Sequence, residues 1–461
     1  MGGEAMVPGG RRDGAARGNA WTVGTLSYSS AGLVLLFCWL LFGDFAWTSR
    51  ERAVTPLAQL MLKAGGASDT IVGLLAASLP AAMGMFVAPV VGYRSDRYRS
   101  RFGRRIPFLI VSTPLAAAAM IGIAFAPSVG TWLDRALGAS SPGVPVCFLA
   151  FFCVCWILFE VAAIVGNSLF LALINDVVPR EILGRFFGLF RAMSLGVGAL
   201  FNFFLMGKAE NYLWEMFVCL ALIYGIGFGL MCLRVKEGEY PPVPEEESRE
   251  GFADSLRRYW RECFTHRYYL WLFGALAIAQ VAFAPVNTFA IFYAKSVGMS
   301  MDTYGKALAA AFVISLVISY SVGALADRIH PLRVAIVSLV LYLPLCLWAM
   351  VWAVSPGAFA IAFVAHVSIA GIFFTGTASA GQRLFPKEKF AQFASAAQLV
   401  FGLFTMLLPP AMGIVLDLSG HIYRLTFVAG ALLCAVSLVF FFVVLRFYNR
   451  LGGDAAYCPP V

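Results

Sequence analysis

Apolar residues in this chain gather into about twelve blocks of roughly 20 positions, each closed by a short polar stretch, and a helix of that length crosses ~30 Å of hydrocarbon. The pattern predicts spans over 30–61, 70–93, 106–126, 146–175, 183–207, 211–233, 268–295, 303–326, 332–354, 357–383, 390–417 and 422–448. One connection, 234–267, is long and polar, and it divides the chain six spans plus six. The expected organisation is a tail over 1–29, a bundle over 30–233, a linker over 234–267, a second bundle over 268–448 and a tail over 449–461. The fold class is an all-α polytopic membrane protein with twelve transmembrane helices in two six-helix bundles. Within the linker, PPVPEEESRE precedes GFADSLRRYWRECF, which puts Phe252, Leu256, Trp260 and Phe264 at helical spacing beside Arg257, Arg258 and Arg261. That suits a helix lying on the membrane surface; a solvated linker is the competing reading.

Composition agrees: 60% of the 461 residues are hydrophobic and 13% charged, against roughly 45–50% and 25% in a soluble domain. A soluble enzyme is excluded. The net charge of +9, from 34 Lys and Arg against 25 Asp and Glu, is a matter of topology rather than of nucleic acid. With the N-terminus inside, 25 of the 34 basic residues fall in inside segments and six outside, namely Lys63, Arg135, Lys208, Lys295, Lys306 and Arg424. Cytoplasmic loops hold the basic excess, so both termini are expected in the cytoplasm of a cell (plasma or inner) membrane. Residues 1–28 lack an apolar signal region and carry Arg11, Arg12 and Arg17, which makes the first span an uncleaved anchor. The ten cysteines stand mostly alone in apolar blocks; Cys153 and Cys155 have no His or carboxylate at metal-ligand spacing, so neither a disulfide framework nor a metal site is read. No H-E-x-x-H, G-x-S-x-G or nucleotide-binding glycine loop follows a strand, so neither an enzyme nor a cofactor is expected.

The two halves repeat. Span 2 ends with Gly92-Tyr-Arg-Ser-Asp96-Arg97 and span 8 with Gly323-Ala-Leu-Ala-Asp327-Arg328. Spans 4 and 5 meet at Asp176-Val-Val-Pro179-Arg180-Glu181, continuing to Arg185, and spans 10 and 11 meet at Arg383-Leu-Phe-Pro386-Lys387-Glu388. Matching the prolines sets Arg191 on Gln398 and Glu160 beside His366. Transporters are commonly built from such duplicated halves.

Charges inside the spans carry the candidate chemistry, because a charged side chain at mid-bilayer costs at least ~2.5–3.5 kcal/mol. Span 1 holds Asp44, Arg50, Glu51 and Arg52. At ~100° per residue, Asp44, Thr48, Glu51, Thr55 and Gln59 fall within about 80° of one another, with Arg52 at the border and Arg50 pointing away. Such a stripe should line a watered cavity. Glu160 and Arg191 lie on adjacent spans and are expected to pair. A carboxylate titrates lower beside an arginine and higher when desolvated alone, so a pair that forms and breaks can take up and release a cation; Asp44, Glu51, Glu160 and Arg191 are the candidate coupling set. The second half is neutral at the matching places: Gln280 and Asn287 are spaced like Asp44 and Glu51, and Gln398 replaces Arg191. His366 is the one ionisable group well inside a span there. Arg52, Thr48, Thr55, Gln59, Asn167, Gln280, Asn287, His366 and Gln398 are the candidate contacts to a polar substrate, with aromatics such as Trp47 and Phe374 suited to sugar ring faces. A closed ion-pair network that only ties helices together competes with this reading, although transmembrane polar contacts return only ~0.6 kcal/mol on average.

The duplicated arrangement resembles the major facilitator superfamily. Gly92-Tyr-Arg-Ser-Asp96-Arg97-Tyr-Arg-Ser100-Arg101-Phe102-Gly103-Arg104-Arg105-Ile-Pro107-Phe108 resembles the extended loop of sucrose-proton symporters and their relatives among the glycoside-pentoside-hexuronide cation symporters. Trp47 with Thr55-Pro56 and Gln59, and Trp156 with Glu160 ahead of Asp176, agree with those symporters in spacing. The chain departs from them at Arg50-Glu51-Arg52, where they are uncharged, and at Leu171, where they carry an arginine. The resemblance implies a secondary active transporter that couples a proton or sodium ion to a sugar or glycoside by alternating access. It also implies a cytoplasmic latch built from Gly92, Asp96, Arg97, Gly103, Arg104, Arg105, Asp176, Arg180, Arg185, Gly323, Asp327 and Arg328. The partners expected are a small solute, a coupling cation and the lipid bilayer, with no nucleic acid. A carrier or exporter of another polar or anionic solute, or a non-transporting assembly factor on the same fold, are the alternatives.

Overall fold

The structure, a computed structural model, describes residues 21–240 and 252–460. Among the described residues twelve helices are long and apolar enough to cross a bilayer: α1 Ser30–Ala64, α2 Asp69–Arg97, α3 Ile106–Ser140, α4 Val144–Val177, α5 Arg180–Phe204, α6 Leu213–Arg234, α7 Arg267–Ser296, α8 Met301–Ile329, α9 Pro331–Trp352, α10 Pro356–Leu384, α11 Gln392–Leu418 and α12 Leu425–Arg450. A short antiparallel hairpin, β1 Trp21–Val23 and β2 Leu26–Tyr28, precedes α1. Helix starts follow local chemistry. Ser29, Ser68, Ser300 and Ser355 each accept a hydrogen bond from a first-turn N–H of α1, α2, α8 and α10, which satisfies donors that the helix itself cannot.

The spans match the hydrophobic blocks to within a few residues, with one correction. The third was expected to stop at 126, before Pro127, but its α-helix runs on to Leu137. Proline removes one ladder donor, yet packing outweighs that loss: α3 lies so close on α4 that a Cβ on Gly130 would stand 2.7 Å from the Phe148 backbone. One turn on, the Thr131 hydroxyl donates back to the Pro127 carbonyl at 3.0 Å. Two spans contain π-helical turns, Leu74–Ser78 in α2 and Ile223–Phe228 in α6. Trp156 of α4 donates its indole N–H to the Leu75 carbonyl at 2.8 Å, so the irregular turn is satisfied from a neighbour, as the bilayer demands.

Helices α1–α6 and α7–α12 form two halves that meet at the end opposite the basic loops. There a Cβ on Gly73 would stand 2.5 Å from the Pro409 carbonyl, and one on Gly413 would stand 2.6 Å from that of Asp69, so α2 and α11 touch backbone to backbone. Gly305 of α8 is pressed equally against Asn202 of α5. Carboxylates are exchanged across this seam. Asp417 accepts from the backbone N–H groups of Asp69 and Thr70, both at 2.9 Å, and from Thr70 Oγ1 at 2.6 Å. Asp69, fully buried, accepts from Lys63 Nζ at 2.5 Å, His421 Nδ1 at 2.7 Å and the Tyr423 hydroxyl at 3.1 Å. Burial and the Asp69 carboxylate push the Tyr423 phenol up, so it stays a donor. Toward the basic end the halves part: Tyr320 is 85% exposed, and Gly184, Gly188 and Gly323 face open space.

The linker forms a helix over Phe252–Phe264. It docks on the second half: the Tyr259 hydroxyl donates to Ser395 Oγ, Glu262 pairs with Lys389 at 3.1 Å and accepts from Gln392, and Cys263 is fully buried. The side chains of Phe252 and Leu256, the arginines of the N-terminal tail and the PPVPEEESRE stretch lie outside the described residues. Gly413→Leu is expected to force α2 and α11 apart, an overpacking cost of about 1–3 kcal/mol. It should therefore raise thiol-reagent labelling of a cysteine placed at Gln59 about tenfold or more; unchanged labelling would contradict the tight crossing.

Candidate functional site

A cavity of about 590 Å³ lies between the halves. Its polar wall comes from Glu51, Arg52 and Gln59 of α1, Arg191 and Ser194 of α5, Asn287 of α7 and Ser315 of α8, and Phe190, Phe312, Phe363 and Phe374 give it aromatic faces. Arg52 donates to Ser194 Oγ at 2.7 Å and lies over the Phe312 ring. Arg191 crosses the interface to donate to Thr375 Oγ1 at 2.9 Å, and Gln59 crosses it to the Thr288 carbonyl at 3.2 Å. Arg52 and Arg191 are close enough for their charges to oppose one another. Glu51, beside Arg52 on α1, is the carboxylate in the same lining. Behind Asn287, His366 is fully buried, with Nε2 3.0 Å from Asn287 Oδ1 and Nδ1 3.0 Å from the Tyr342 hydroxyl. If the asparagine oxygen accepts, Nε2 carries the proton and Nδ1 accepts from Tyr342.

A second polar cluster lies inside the first half. Arg50, 3% exposed, donates to Asn167 Oδ1 at 2.7 Å. The same oxygen accepts the Trp47 indole N–H at 2.6 Å. The guanidinium is surrounded by the rings of Trp47, Phe159 and Tyr224 at 5.1–5.9 Å, with Tyr224 on the π-helical turn of α6. Arg50 is also the charge that acts on buried Glu160. Asp44, fully buried, accepts from Thr48 at 3.1 Å, and its Oδ2 has no partner among the described residues.

These positions correct three expectations. The α1 stripe does not face one hollow: Glu51 and Gln59 line the cavity, while Asp44 and Thr48 are enclosed in the bundle, because α1 is covered by neighbouring helices along the part that carries Asp44. Glu160 does not pair with Arg191, which reaches into the cavity to Thr375; the cation near Glu160 is Arg50, which was set aside as pointing away. The proposed substrate contacts also divide. Arg52, Gln59 and Asn287 line the cavity, with His366 behind Asn287. Thr55 and Gln280 are half-buried and outside its lining, Asn167 belongs to the Arg50 cluster, and Gln398 lines a separate groove between α2 and α11.

At the basic end the loop after α2 is bound into a network. Arg104 makes a forked pair with Asp176 at 2.7 and 3.1 Å, and Arg105 pairs with Asp96 at 2.5 Å and with Asp176 at 3.3 Å. Arg97 lies over Tyr93, its Cζ 3.7 Å from the ring centroid. Gly103, at φ +102°, is required, since a Cβ would enter the Glu237 carboxylate. Glu237 accepts from the backbone N–H groups of Arg104, Arg105 and Ile106 at 2.7–2.9 Å, capping α3 where the helix field favours an anion. Tyr240 donates to Glu237 at 2.9 Å; burial and the Glu237 and Asp176 charges push its phenol up and keep it a donor. Arg383 pairs with Asp327 at 2.7 Å in the second half. Arg180 and Arg185 are exposed. Glu237, Ser194, Thr375 and the Asp69–Asp417–His421 group were missed in the sequence; the four-residue step from Asp417 to His421 was the one signal available for the last.

Two six-helix halves around a central polar cavity define a membrane carrier of the major facilitator fold. A family model described as MFS/sugar transport protein matches residues 63–386, well over half of the chain, and the chain belongs to that family. It is 30% identical over 120 residues to the sucrose transport protein SUC4 of Arabidopsis thaliana, a match that spans 25% of this chain and 23% of the plant protein. Among solved structures it is similar to the nucleoside transporter NupG, with a TM-score of 0.64 and 12% identity over 90% of this chain and 99% of that one. It is also similar to the inward-open xylose transporter XylE from E. coli, with a TM-score of 0.59 and 14% identity over 88% and 95%. These structural likenesses show the fold.

Asn167 is the hinge of the buried cluster, because one oxygen serves both Trp47 and Arg50. Asn167→Leu should cost about 1.5–3 kcal/mol, the worth of a hydrogen bond to a charged group, and lower the thermal midpoint of the solubilised protein; Asn167→Asp, which keeps the acceptor, should retain it.

Proposed function

We propose that this sugar-type carrier is a symporter that couples a proton or sodium ion to a sugar or glycoside by alternating access, with both termini on the cytoplasmic side of a cell membrane. The observation that carries the proposal is the polar cavity between the halves, sealed at one end by the Asp69–Asp417 exchange and open toward the other. The positive-inside bias makes the open, basic end cytoplasmic, so the state described is inward-facing. Arg52, Gln59, Ser194 and Asn287 offer donors and acceptors for sugar hydroxyls, and the surrounding rings suit a pyranose face. Gly92 and Gly323, with open space where a Cβ would stand, are where helices would close in when this end shuts, and the Asp96–Arg104–Arg105–Asp176 and Asp327–Arg383 groups are the latch that rearranges.

For coupling, Glu160 and Asp44 are the proposed cation acceptors. Arg50 and a cation compete for Glu160, and Arg50 is held by Asn167, which also holds the cavity-wall Trp47. A solute that moves Trp47 thereby alters how strongly Arg50 neutralises Glu160. This gives solute and cation a common element with two arrangements, which coupling requires. Two guanidiniums against one carboxylate in the cavity lining support a second reading, a carrier for an anionic solute.

Uptake by proteoliposomes of neutral and acidic sugars, with and without proton and sodium gradients, tests both. A gradient-dependent accumulation of a neutral sugar is expected, and selective uptake of acidic sugars would favour the second reading. Glu160→Gln should abolish accumulation above equilibrium while leaving solute exchange; accumulation at the unaltered level would remove Glu160 from the coupling step.

A further inference from the structure

A second pocket, of about 490 Å³, lies at the basic end of the second half, away from the central cavity. Three segments distant in sequence enclose it: the Phe252–Phe264 helix, the α10–α11 connection, and the C-terminal residues 457–459. Each is held by specific bonds. The Tyr457 hydroxyl donates to the Leu384 carbonyl at 2.9 Å, Tyr269 donates to the Pro460 carbonyl at 2.8 Å, and Glu262 is tied to Lys389 and Gln392. The lining combines the cations Arg383, Lys387 and Lys389 with the apolar rings of Phe385, Phe393 and Tyr457.

The charges in this pocket are unequal. Its carboxylate among the described residues, Glu262, is already engaged by Lys389 and Gln392, and Arg383 reaches Asp327. Lys387 is exposed and makes no ion pair among the described residues. The helix that forms one side places Trp260, 59% exposed, beside exposed Arg257 and Arg261, the arrangement of a helix at the membrane–water boundary. A lining that mixes cations with apolar rings, at the level of that helix, suits a ligand with an anionic phosphate joined to an apolar stem, and the volume falls within the ~300–1,000 Å³ of ordinary ligand pockets. Basic pockets between membrane helices take phosphate-bearing headgroups in this way.

We propose that this pocket binds a phosphate-bearing headgroup and that its occupant fastens the linker helix to the second half. The source is a phospholipid of the facing leaflet or a free phosphate, and the two are separable. The full chain in detergent is titrated with dioctanoyl phosphatidylinositol monophosphate, with dioctanoyl phosphatidylcholine and with inorganic phosphate, and thermal unfolding and native mass spectrometry are read. The phosphoinositide is expected to bind and raise the unfolding midpoint, and the zwitterionic lipid to do neither. An equal response to inorganic phosphate alone would support the site with free phosphate as its source. Lys387→Gln should weaken binding about fivefold, the share of one lysine at an anionic surface, and Lys387→Glu should weaken it further, while Lys208→Gln at the other end of the molecule should leave it unchanged. Equal binding of phosphatidylcholine, equal effects of the Lys387 and Lys208 variants, or no binding of either phosphate probe would overturn the proposal.

Discussion

Helix α1 carries four ionisable side chains into the bilayer, and each must meet water, a partner or a buried dipole. That constraint organises the molecule. Glu51 and Arg52 turn to the central cavity, which is why a hollow lies between the halves at that depth. Arg50 turns the other way and needs an enclosure of its own, supplied by the Asn167 oxygen, three aromatic faces and the neighbouring Glu160. The π-helical turn of α6 brings Tyr224 against it, a local departure from regular helix of the kind that often accompanies a functional position. One helix therefore feeds both the open cavity and an enclosed cluster, and Trp47, in contact with both, joins them.

The ends of the molecule are built on different physics. At the sealed end small residues let backbones touch, as at Gly73, Gly413 and Gly305, which is how membrane helices associate when lipid is as apolar as their side chains. At the basic end ion pairs brace each half, Arg104 and Arg105 with Asp96 and Asp176, and Arg383 with Asp327. Glu237 joins the chain leaving α6 to the start of α3, so the linker departs from a braced position.

The twelve spans were legible because block length and hydropathy are set by bilayer thickness, whatever the packing. The end of α3 was not, because contact with α4 at Gly130, invisible in a linear pattern, outweighs Pro127. The charged residues were recognisable as a group, but their partners were not. Helical angle gives the face of a side chain relative to its own helix, not what covers that face. Asp44 and Glu51 share a face and differ in burial for this reason, and Arg50 and Arg191 exchanged their expected roles. Glu237 escaped notice because a lone glutamate after a span carries no signal until the loop at Gly103 folds around it.

The exchange between Asp69 and Asp417 bears on how abruptly the sealed end can part. Each half lends its carboxylate to donors on the other, so withdrawing either one strands donors and an acid on both sides together. Half-opened arrangements are penalised more than either extreme, and separation of the halves there becomes a threshold event rather than a gradual yielding.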